Sequence, residues 1–294
     1  MEINMKNLDI SKLPAKKRKQ IVSYLRAGIQ LLYFLFLPSV FTAAFNGVKY
    51  IFTQLGQGEK IELTAFVAAL LLVCAFTIVF GRFFCGFACA FGSLGDAMHA
   101  IYGIICKKRK KKPRRIKPEL TKKLALVKYG ILLLIALCCF ADVYQKARGT
   151  SPWDVFSMLH AGNFRLSSYI PGIILFLLIL VGMFFEKRFF CRFLCPMGAV
   201  FSLLPILPFF TLHRKRENCI RGCSACTRQC PSAVELPSDG SAEISGDCFQ
   251  CQKCIDMCPK GNIRCGVKEL HGNEILFTLF RAVLLLTLLL WAGI

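Results

Sequence analysis

Acidic side chains are scarce in this sequence: only 17 Asp and Glu stand against 38 Lys and Arg in 294 residues. In a water-soluble protein such an excess of cations would suggest nucleic acid as a partner. Here, however, 55% of the residues are hydrophobic, a composition typical of membrane proteins. The sequence also lacks a nucleophile-base-acid set, a phosphate-binding loop and a pair of His suited to haem, so it indicates no catalytic residues of those kinds.

Five apolar windows come close to the roughly 20 residues that a helix needs to cross a bilayer. They are Ala27–Phe45, Ile61–Phe80, Leu124–Tyr144, Tyr169–Phe185 and Ile275–Ile294. The first window follows a Lys-rich stretch without a clear cleavage site, so we expect it to stay in the protein as an anchor. The sequence therefore predicts an α-helical integral membrane protein with about five transmembrane helices.

The cations are concentrated where this topology needs them. The segment Lys107–Lys117 holds nine cations in eleven residues, and a second group precedes the first window: Lys12, Lys16, Lys17, Arg18 and Lys19. By the positive-inside rule both segments face the cytoplasm, as does the chain from Glu186 to Asn273, and the C-terminus lies outside. We predict a multi-pass protein of the bacterial cytoplasmic membrane. Anionic lipid is an alternative ligand for the basic segment, and no nucleic acid is expected.

Most of the seventeen cysteines lie in or beside the predicted cytoplasmic segments. The exceptions are Cys74, Cys138 and Cys139, for which we expect a packing role within apolar helices. Because cytoplasmic thiols are kept reduced, the remaining cysteines indicate metal binding rather than disulfides. Cys106 and Cys265 fit no pattern and receive no assignment.

Two cysteine runs fill the polar segment from about His213 to residue 270, which is too short to build a large core of its own. They read CIRGCSACTRQCP and CFQCQKCIDMCP. Three thiolates on one loop can bind three corners of a [4Fe-4S] cluster, while the fourth, followed by Pro, reaches the other cluster. This pattern predicts one cluster bound by Cys219, Cys223, Cys226 and Cys258, and another bound by Cys248, Cys251, Cys254 and Cys230.

The two runs resemble those of bacterial two-cluster ferredoxins, which implies a small α+β domain. Two four-cysteine zinc sites are the alternative, but zinc sites give no reason for a third cysteine in each loop or for the Pro after the fourth. The first run departs from the pattern because three residues, rather than two, separate Cys219 from Cys223. Gly222 is the residue that we expect to absorb the extra position in a bulge.

One motif occurs twice in the chain, 106 positions apart: residues 82–92 read RFFCGFACAFG and residues 188–198 read RFFCRFLCPMG. Each copy follows an apolar window that runs toward the cytoplasm, so we predict two parallel membrane repeats. If both copies are helical, Cys85 and Cys89 share one helix face, as do Cys191 and Cys195. Two such pairs would supply four sulfurs to one further iron–sulfur or metal site. The alternative is that these cysteines only pack between helices.

These features together resemble the NapH-type polyferredoxin family, which includes the electron-transfer parts of NosR and CcoG. The resemblance covers roughly Ala27 to Cys265 and implies electron transfer between the quinone pool or cytoplasmic donors and a partner redox protein. Three features depart from it: Ala90 stands where the family has Pro, no flavin domain precedes the first window, and a fifth apolar window follows the ferredoxin-like segment.

We therefore predict a membrane-bound iron–sulfur electron-transfer protein, acting as a subunit of an oxidoreductase system, with quinone or quinol and a redox protein as partners. A cupric reductase or metalloenzyme assembly factor, and a redox-sensing scaffold, remain alternatives.

Two charges inside the apolar windows, Lys128 and Arg281, are expected to snorkel toward the cytoplasmic surface. The predicted divisions are 1–26, a basic N-terminus; 27–106, the first membrane repeat; 107–123, a basic loop; 124–212, the second repeat; 213–270, the ferredoxin domain; and 271–294, the last helix.

Overall fold

The structure, a computed structural model, describes residues 15–111, 113, 116, 118–144, 149–164, 167–265 and 274–293. Lys12, residues 112, 114, 115 and 117 of the basic segment, and residues 266–270 at the end of the predicted ferredoxin segment lie outside the described residues. The α-helices are α1 Ala15–Phe36, α2 Val40–Gln57, α3 Ala65–Phe80, α4 Ala90–Lys108, α5 Pro118–Leu124, α6 Val127–Phe140, α7 Pro152–His160, α8 Ile170–Phe185, α9 Pro196–Leu203, α10 Ala225–Gln229, α11 Lys253–Met257 and α12 Glu274–Trp291. Two π-helical turns, Phe84–Ala88 and Phe190–Leu194, interrupt this series.

The first predicted span is not one straight helix. It divides into α1 and α2, which meet at Leu37–Ser39 with a bend of 61°. Pro38 accounts for the break, because proline has no amide hydrogen to donate and its ring clashes with the preceding helical turn. The prediction of a continuous helix over Ala27–Phe45 is therefore wrong.

Fewer helices are long enough to span a membrane than the five apolar windows predicted. Among the described residues, α5 and α6 together form one helix, Glu119–Phe140, that is long and apolar enough to cross a bilayer. The bent pair α1 and α2 is a second candidate if it counts as one span. The other apolar helices, α3, α8 and the segment Ile275–Trp291 of α12, are shorter, with at most 17 residues each. A mostly helical chain is thus confirmed, whereas five transmembrane helices are not.

The two motif copies occupy equivalent places in the fold. In each, an apolar helix (α3 or α8) is followed by a π-helical turn, and a new helix (α4 or α9) begins directly after the second cysteine. Pro196 opens α9 at a position where proline is favoured, and Ala90 opens α4 at the same place. The replacement of Pro by Ala in the first copy therefore leaves the local architecture unchanged.

Aromatic rings of the two halves form the core between them. Phe91 of the first copy stacks on Phe190 of the second with ring centroids 4.9 Å apart, and it also meets Phe156 of α7 at 4.6 Å. These rings are almost fully buried. Because a buried aromatic side chain contributes about 1.5–3 kcal/mol of hydrophobic stabilisation, this cluster holds the two copies in a fixed relation.

The segment after α9 forms the small domain predicted from the cysteine runs. Three strands, β1 Leu212–Lys215, β2 Asp239–Ala242 and β3 Ile263–Cys265, form an antiparallel sheet in the order β2-β1-β3. His213 pairs with Ala242 on one side and with Arg264 on the other. Short helices α10 and α11 lie within the two cysteine runs. A ferredoxin-like domain attached to a helical body is therefore confirmed.

Candidate iron–sulfur centre

One enclosed cavity in the small domain is lined by the four thiols predicted to bind the second cluster. Cys248, Cys251 and Cys254 come from one run, and Cys230 comes from the other. Cys226 also borders the cavity. Burial and the neighbouring Cys251 raise the pKa of the Cys230 thiol, so a bound metal has to displace its proton. A set of thiols around one cavity fits the donor chemistry of an iron–sulfur cluster.

In the other predicted set, one asparagine lies beside a cysteine of each run. Asn262 donates its backbone N–H to Sγ of Cys258 at 3.3 Å and its side-chain amide to Sγ of Cys219, also at 3.3 Å. One asparagine therefore contacts one cysteine from each run. Gly222, in the first run, has a φ of 72°, a conformation that glycine adopts freely.

Each motif copy presents its cysteines on a π-helical turn rather than on an α-helix. Cys85 and Cys191 lie within the turns, and Cys89 and Cys195 follow in extended conformation as the residues that cap α4 and α9. Sγ of Cys195 accepts a hydrogen bond from the backbone N–H of Gly198 at 3.2 Å. The predicted i, i+4 helical geometry is therefore wrong, although each pair still lies at one helix N-terminus, whose partial positive charge favours thiolates.

The four motif cysteines come together from the two halves of the chain. All are buried, and each interacts electrostatically with the other three. Burial raises the pKa of the Cys191 thiol to about 11, although nearby Arg188 opposes the change. Within the described residues, no group of three or more His, Cys, Asp or Glu is close enough to hold a metal ion as it stands.

The two copies are joined by a reciprocal arrangement of arginine and glycine. Arg188 of the second copy donates to the backbone carbonyls of Cys85 and Gly86, the latter at 2.9 Å, and a Cβ added to Gly92 would overlap its guanidinium. Arg82 of the first copy in turn lies against Gly198, where an added Cβ would be 3.0 Å from its Nη2. Both glycines of the repeated motif thus make room for the arginine of the other copy.

Each of these arginines also hydrogen-bonds to a polar side chain on the helix that follows the other motif copy. Arg188 binds Asp96 of α4 through two hydrogen bonds of 3.1 and 2.6 Å, and Arg82 donates to Ser202 of α9 at 3.2 Å. Asp96 and Ser202 occupy equivalent positions, 106 residues apart. Burial disfavours the ionised carboxyl of Asp96, but Arg188 and Lys253 hold its pKa well below the usual range.

Phe249 connects the small domain to this arrangement. It lies between Cys248 and Cys251, and its buried ring faces both arginines, with the guanidinium carbons of Arg82 and Arg188 at 4.9 and 5.6 Å from its centroid. Its carbonyl oxygen lies so close to Gly86 that a Cβ there would overlap it. The second cysteine run therefore contacts Gly86, the residue next to Cys85.

Lys128 reinforces the same junction instead of snorkelling. Its side chain is 2% exposed, and its Nζ binds Asp247 at 2.6 Å and Ser202 at 2.8 Å. Arg281 is 0% exposed and likewise does not reach the surface. The snorkelling expectation is wrong for both residues, because each faces the small domain or its neighbours.

An open cavity of about 450 Å³ lies beside the first motif copy. Its polar end contains Arg26 and Gln30 of α1, Asp96 of α4 and Lys253 of α11, and its outer wall contains apolar side chains such as Leu31 and Phe34. Gln30 donates to Asp96 at 3.0 Å and to the carbonyl of Gly86 at 3.2 Å. His99, which is near the motif in sequence, is not among the lining residues and contacts the carbonyl of Phe184.

A family model described as a 4Fe-4S binding domain matches residues 63–113 and 170–211. The two matched segments contain the two motif copies, with Cys85, Cys89, Cys191 and Cys195. With this match and its ferredoxin-spaced cysteines, the chain is similar to iron–sulfur proteins of the ferredoxin type.

Relatives define this class more closely. MJ0750 of Methanocaldococcus jannaschii, an uncharacterized protein, is 28% identical over 82% of this chain and 93% of its own length. The ferredoxin-type protein NapH of Haemophilus influenzae is 23% identical over 71% of this chain and 70% of NapH. The regulatory protein NosR of Pseudomonas aeruginosa is 24% identical over 69% of this chain but only 29% of NosR. No solved structure matches the chain. The predicted resemblance to the NapH/NosR-type family of 4Fe-4S membrane ferredoxins is therefore confirmed.

Proposed function

We propose that this protein transfers electrons between the quinone pool of the bacterial cytoplasmic membrane and a partner redox protein. Iron–sulfur electron transfer is what the names of its ferredoxin-type relatives support. In the proposal the chain crosses the membrane several times and exposes its small domain to the cytoplasm. The observation that carries the proposal is the contact of Phe249, in the second cysteine loop, with Arg82 and Arg188 of the two motif copies.

Two [4Fe-4S] clusters are proposed for the small domain. Cys219, Cys223, Cys226 and Cys258 would hold the first, and Cys230, Cys248, Cys251 and Cys254 the second. The contacts of Asn262 with Cys219 and Cys258, and the shared cavity of the second set, support these assignments. When bound, such clusters accept and release single electrons, and the chain supplies the ligands, the spacing and the electrostatic surroundings.

A further iron–sulfur or metal centre is proposed at Cys85, Cys89, Cys191 and Cys195. The convergence of four buried thiols and the family model that covers both copies support it. Arg82 and Arg188 are fully buried within this arrangement, and their positive charges would balance a bound anionic cluster.

The open cavity between α1 and α4 is the proposed place for the quinone head group. Its volume of about 450 Å³ is within the range usual for small-molecule sites. Lys253, which donates one hydrogen bond to Asp96, has two further N–H groups that can bind a quinone carbonyl. Asp96 also binds Arg188, which contacts the carbonyl of Cys85, so the cavity is one residue away from the motif cysteines.

The proposal is tested on the full-length protein, purified without oxygen, by measuring iron, acid-labile sulfide and reduction by a short-chain quinol. The variants Cys85→Ser and Cys191→Ser should keep both clusters of the small domain and stop their reduction by quinol. Cys74→Ser is the matched control, because Cys74 lies in α3 away from the motif turns. Protein that contains zinc without labile sulfide would refute the iron–sulfur assignment. Oxidation by Cu(II) without a response to quinol would favour a cupric reductase instead.

A further inference from the structure

Arg281 of α12 is a cation enclosed by the protein. Its guanidinium carbon lies 4.6 Å from the ring centroid of Phe83 and 4.2 Å from that of Phe277, and the residue is 0% exposed. In the described part of the chain, its nitrogens have no oxygen partner. The polar group that it faces is the thiol of Cys265.

This charge lies close to the second set of cluster cysteines. Cys265 packs with Cys248 and Cys254 in one buried group, and Arg281 also interacts electrostatically with Cys248. One turn earlier on α12, Thr278 donates to the side-chain oxygen of Gln252 at 2.9 Å. Gln252 lies between Cys251 and Cys254, so α12 is fixed against the loop that is proposed to hold the second cluster.

A buried cation without an anionic partner is costly. Taking such a charge out of water is unfavourable, and contact with aromatic rings offsets only part of that cost. Methionine would fill the same space between Phe83 and Phe277 without that cost. A cluster bound by four thiolates would supply a compensating negative charge, which grows by one unit on reduction.

We infer that Arg281 is the counter-charge of the second cluster and raises its reduction potential by stabilising the reduced state. The inference rests on the proposed binding of that cluster by Cys230, Cys248, Cys251 and Cys254. Reduction adds one electron to the cluster, and Arg281 donates or accepts no proton in the process. Arg281 thus acts electrostatically on the reduction potential of the cluster and is not one of its ligands.

The first set has a corresponding arginine that serves as a comparison. Arg214 on β1 is 5% exposed and donates to Sγ of Cys226 at 3.5 Å. It also donates to the backbone carbonyls of Leu236 and Pro237. Substitution of Arg214 should therefore affect the cluster bound by Cys226, and substitution of Arg281 the other one.

The test is a redox titration followed by EPR on the full-length, cluster-containing protein. The signal that disappears in Cys230→Ser identifies the second cluster. Arg281→Met should shift the redox equilibrium of that cluster at least tenfold toward the oxidised form, which for one electron corresponds to about 59 mV. Arg281→Lys should retain most of the wild-type potential because it keeps the charge. Arg214→Met should shift the first cluster instead.

Each outcome decides the question. Unchanged potentials in Arg281→Met, at wild-type iron content, would show that Arg281 only packs between rings and would overturn the inference. If Arg281→Met loses iron, Arg281→His replaces it: a second-cluster potential that falls as the pH rises through the histidine pKa supports the inference, and a pH-independent one contradicts it. Wild-type protein without labile sulfide would refute the proposed function itself, which is a separate failure.

Discussion

Arg188 of the second motif copy lies against Gly92 of the first, and it is held there by Asp96 and by the carbonyls of Cys85 and Gly86. The equivalent contact, between Arg82 and Gly198, is less close: an added Cβ would be 3.0 Å from the guanidinium instead of overlapping it. The repeated motif therefore has a purpose beyond supplying cysteines. Its first and last residues are the complementary parts of a contact that joins the two halves.

Replacement of Gly92 by alanine should disrupt this contact. The added Cβ would overlap Nη1 of Arg188 and approach the carbonyl of Cys85 to 2.8 Å, and Arg188 is fully buried and cannot move away. We expect a destabilisation of about 1–3 kcal/mol, as for other overpacked sites. The effect of Gly198→Ala should be smaller, because its closest contacts are 3.0 Å. The measurement is the thermal unfolding temperature.

Gly103 provides the matched control on the same helix. A Cβ at Gly103 meets no atom within 4 Å, and alanine is favoured over glycine in helices by about 1 kcal/mol. Gly103→Ala should therefore leave stability unchanged or increase it. Equal destabilisation by Gly92→Ala and Gly103→Ala would contradict a specific contact with Arg188.

Phe249→Leu should weaken the connection between the small domain and the motif cysteines. Leucine retains apolar volume but loses the interaction of the ring with two guanidinium groups, each worth about 0.5–2 kcal/mol. Slower reduction of the clusters by quinol is expected, with normal iron content and a lower unfolding temperature. Phe209→Leu is the control, because Phe209 is 61% exposed. A wild-type rate of cluster reduction in Phe249→Leu would show that electron transfer does not depend on this contact.

Cys258→Ser should remove the first cluster, although Cys258 belongs to the second run. Cys230→Ser should conversely remove the second cluster. Each change is expected to lower the iron content by about four atoms per chain and to abolish one EPR signal. Cys106→Ser is the control from a buried cysteine outside both sets. If Cys258→Ser and Cys251→Ser abolish the same signal, the crossed assignment is incorrect.

Reporter fusions test the orientation in the membrane. A fusion after Lys117 and one after Gly266 should both report a cytoplasmic position, because Lys and Arg are retained on that side. A fusion after Gly149 should report an external position, since the helix Glu119–Phe140 precedes it. An external signal from either of the first two fusions would contradict the proposed topology.

The cysteine runs allowed the small domain to be predicted because cluster ligands lie in short loops with fixed spacing. The bend in the first predicted span was also detectable, since Pro38 lies inside that window. The π-helical turns were not, because five residues can follow an α- or a π-helical path with the same hydrophobic pattern. The contacts of Arg82, Arg188 and Phe249 join segments that are far apart in sequence, so no local pattern indicates them.

The exchange of arginines has a consequence for the synthesis of the protein. Cys85 and Cys89 leave the ribosome about a hundred residues before Arg188, Cys191 and Cys195 do. Until then the first copy lacks the side chain that fixes its carbonyls and half of the sulfurs around it. A chain that stops short of the second copy is left with an incomplete set of thiols. The proposed centre at these four cysteines can therefore be assembled only after the second copy has been synthesised.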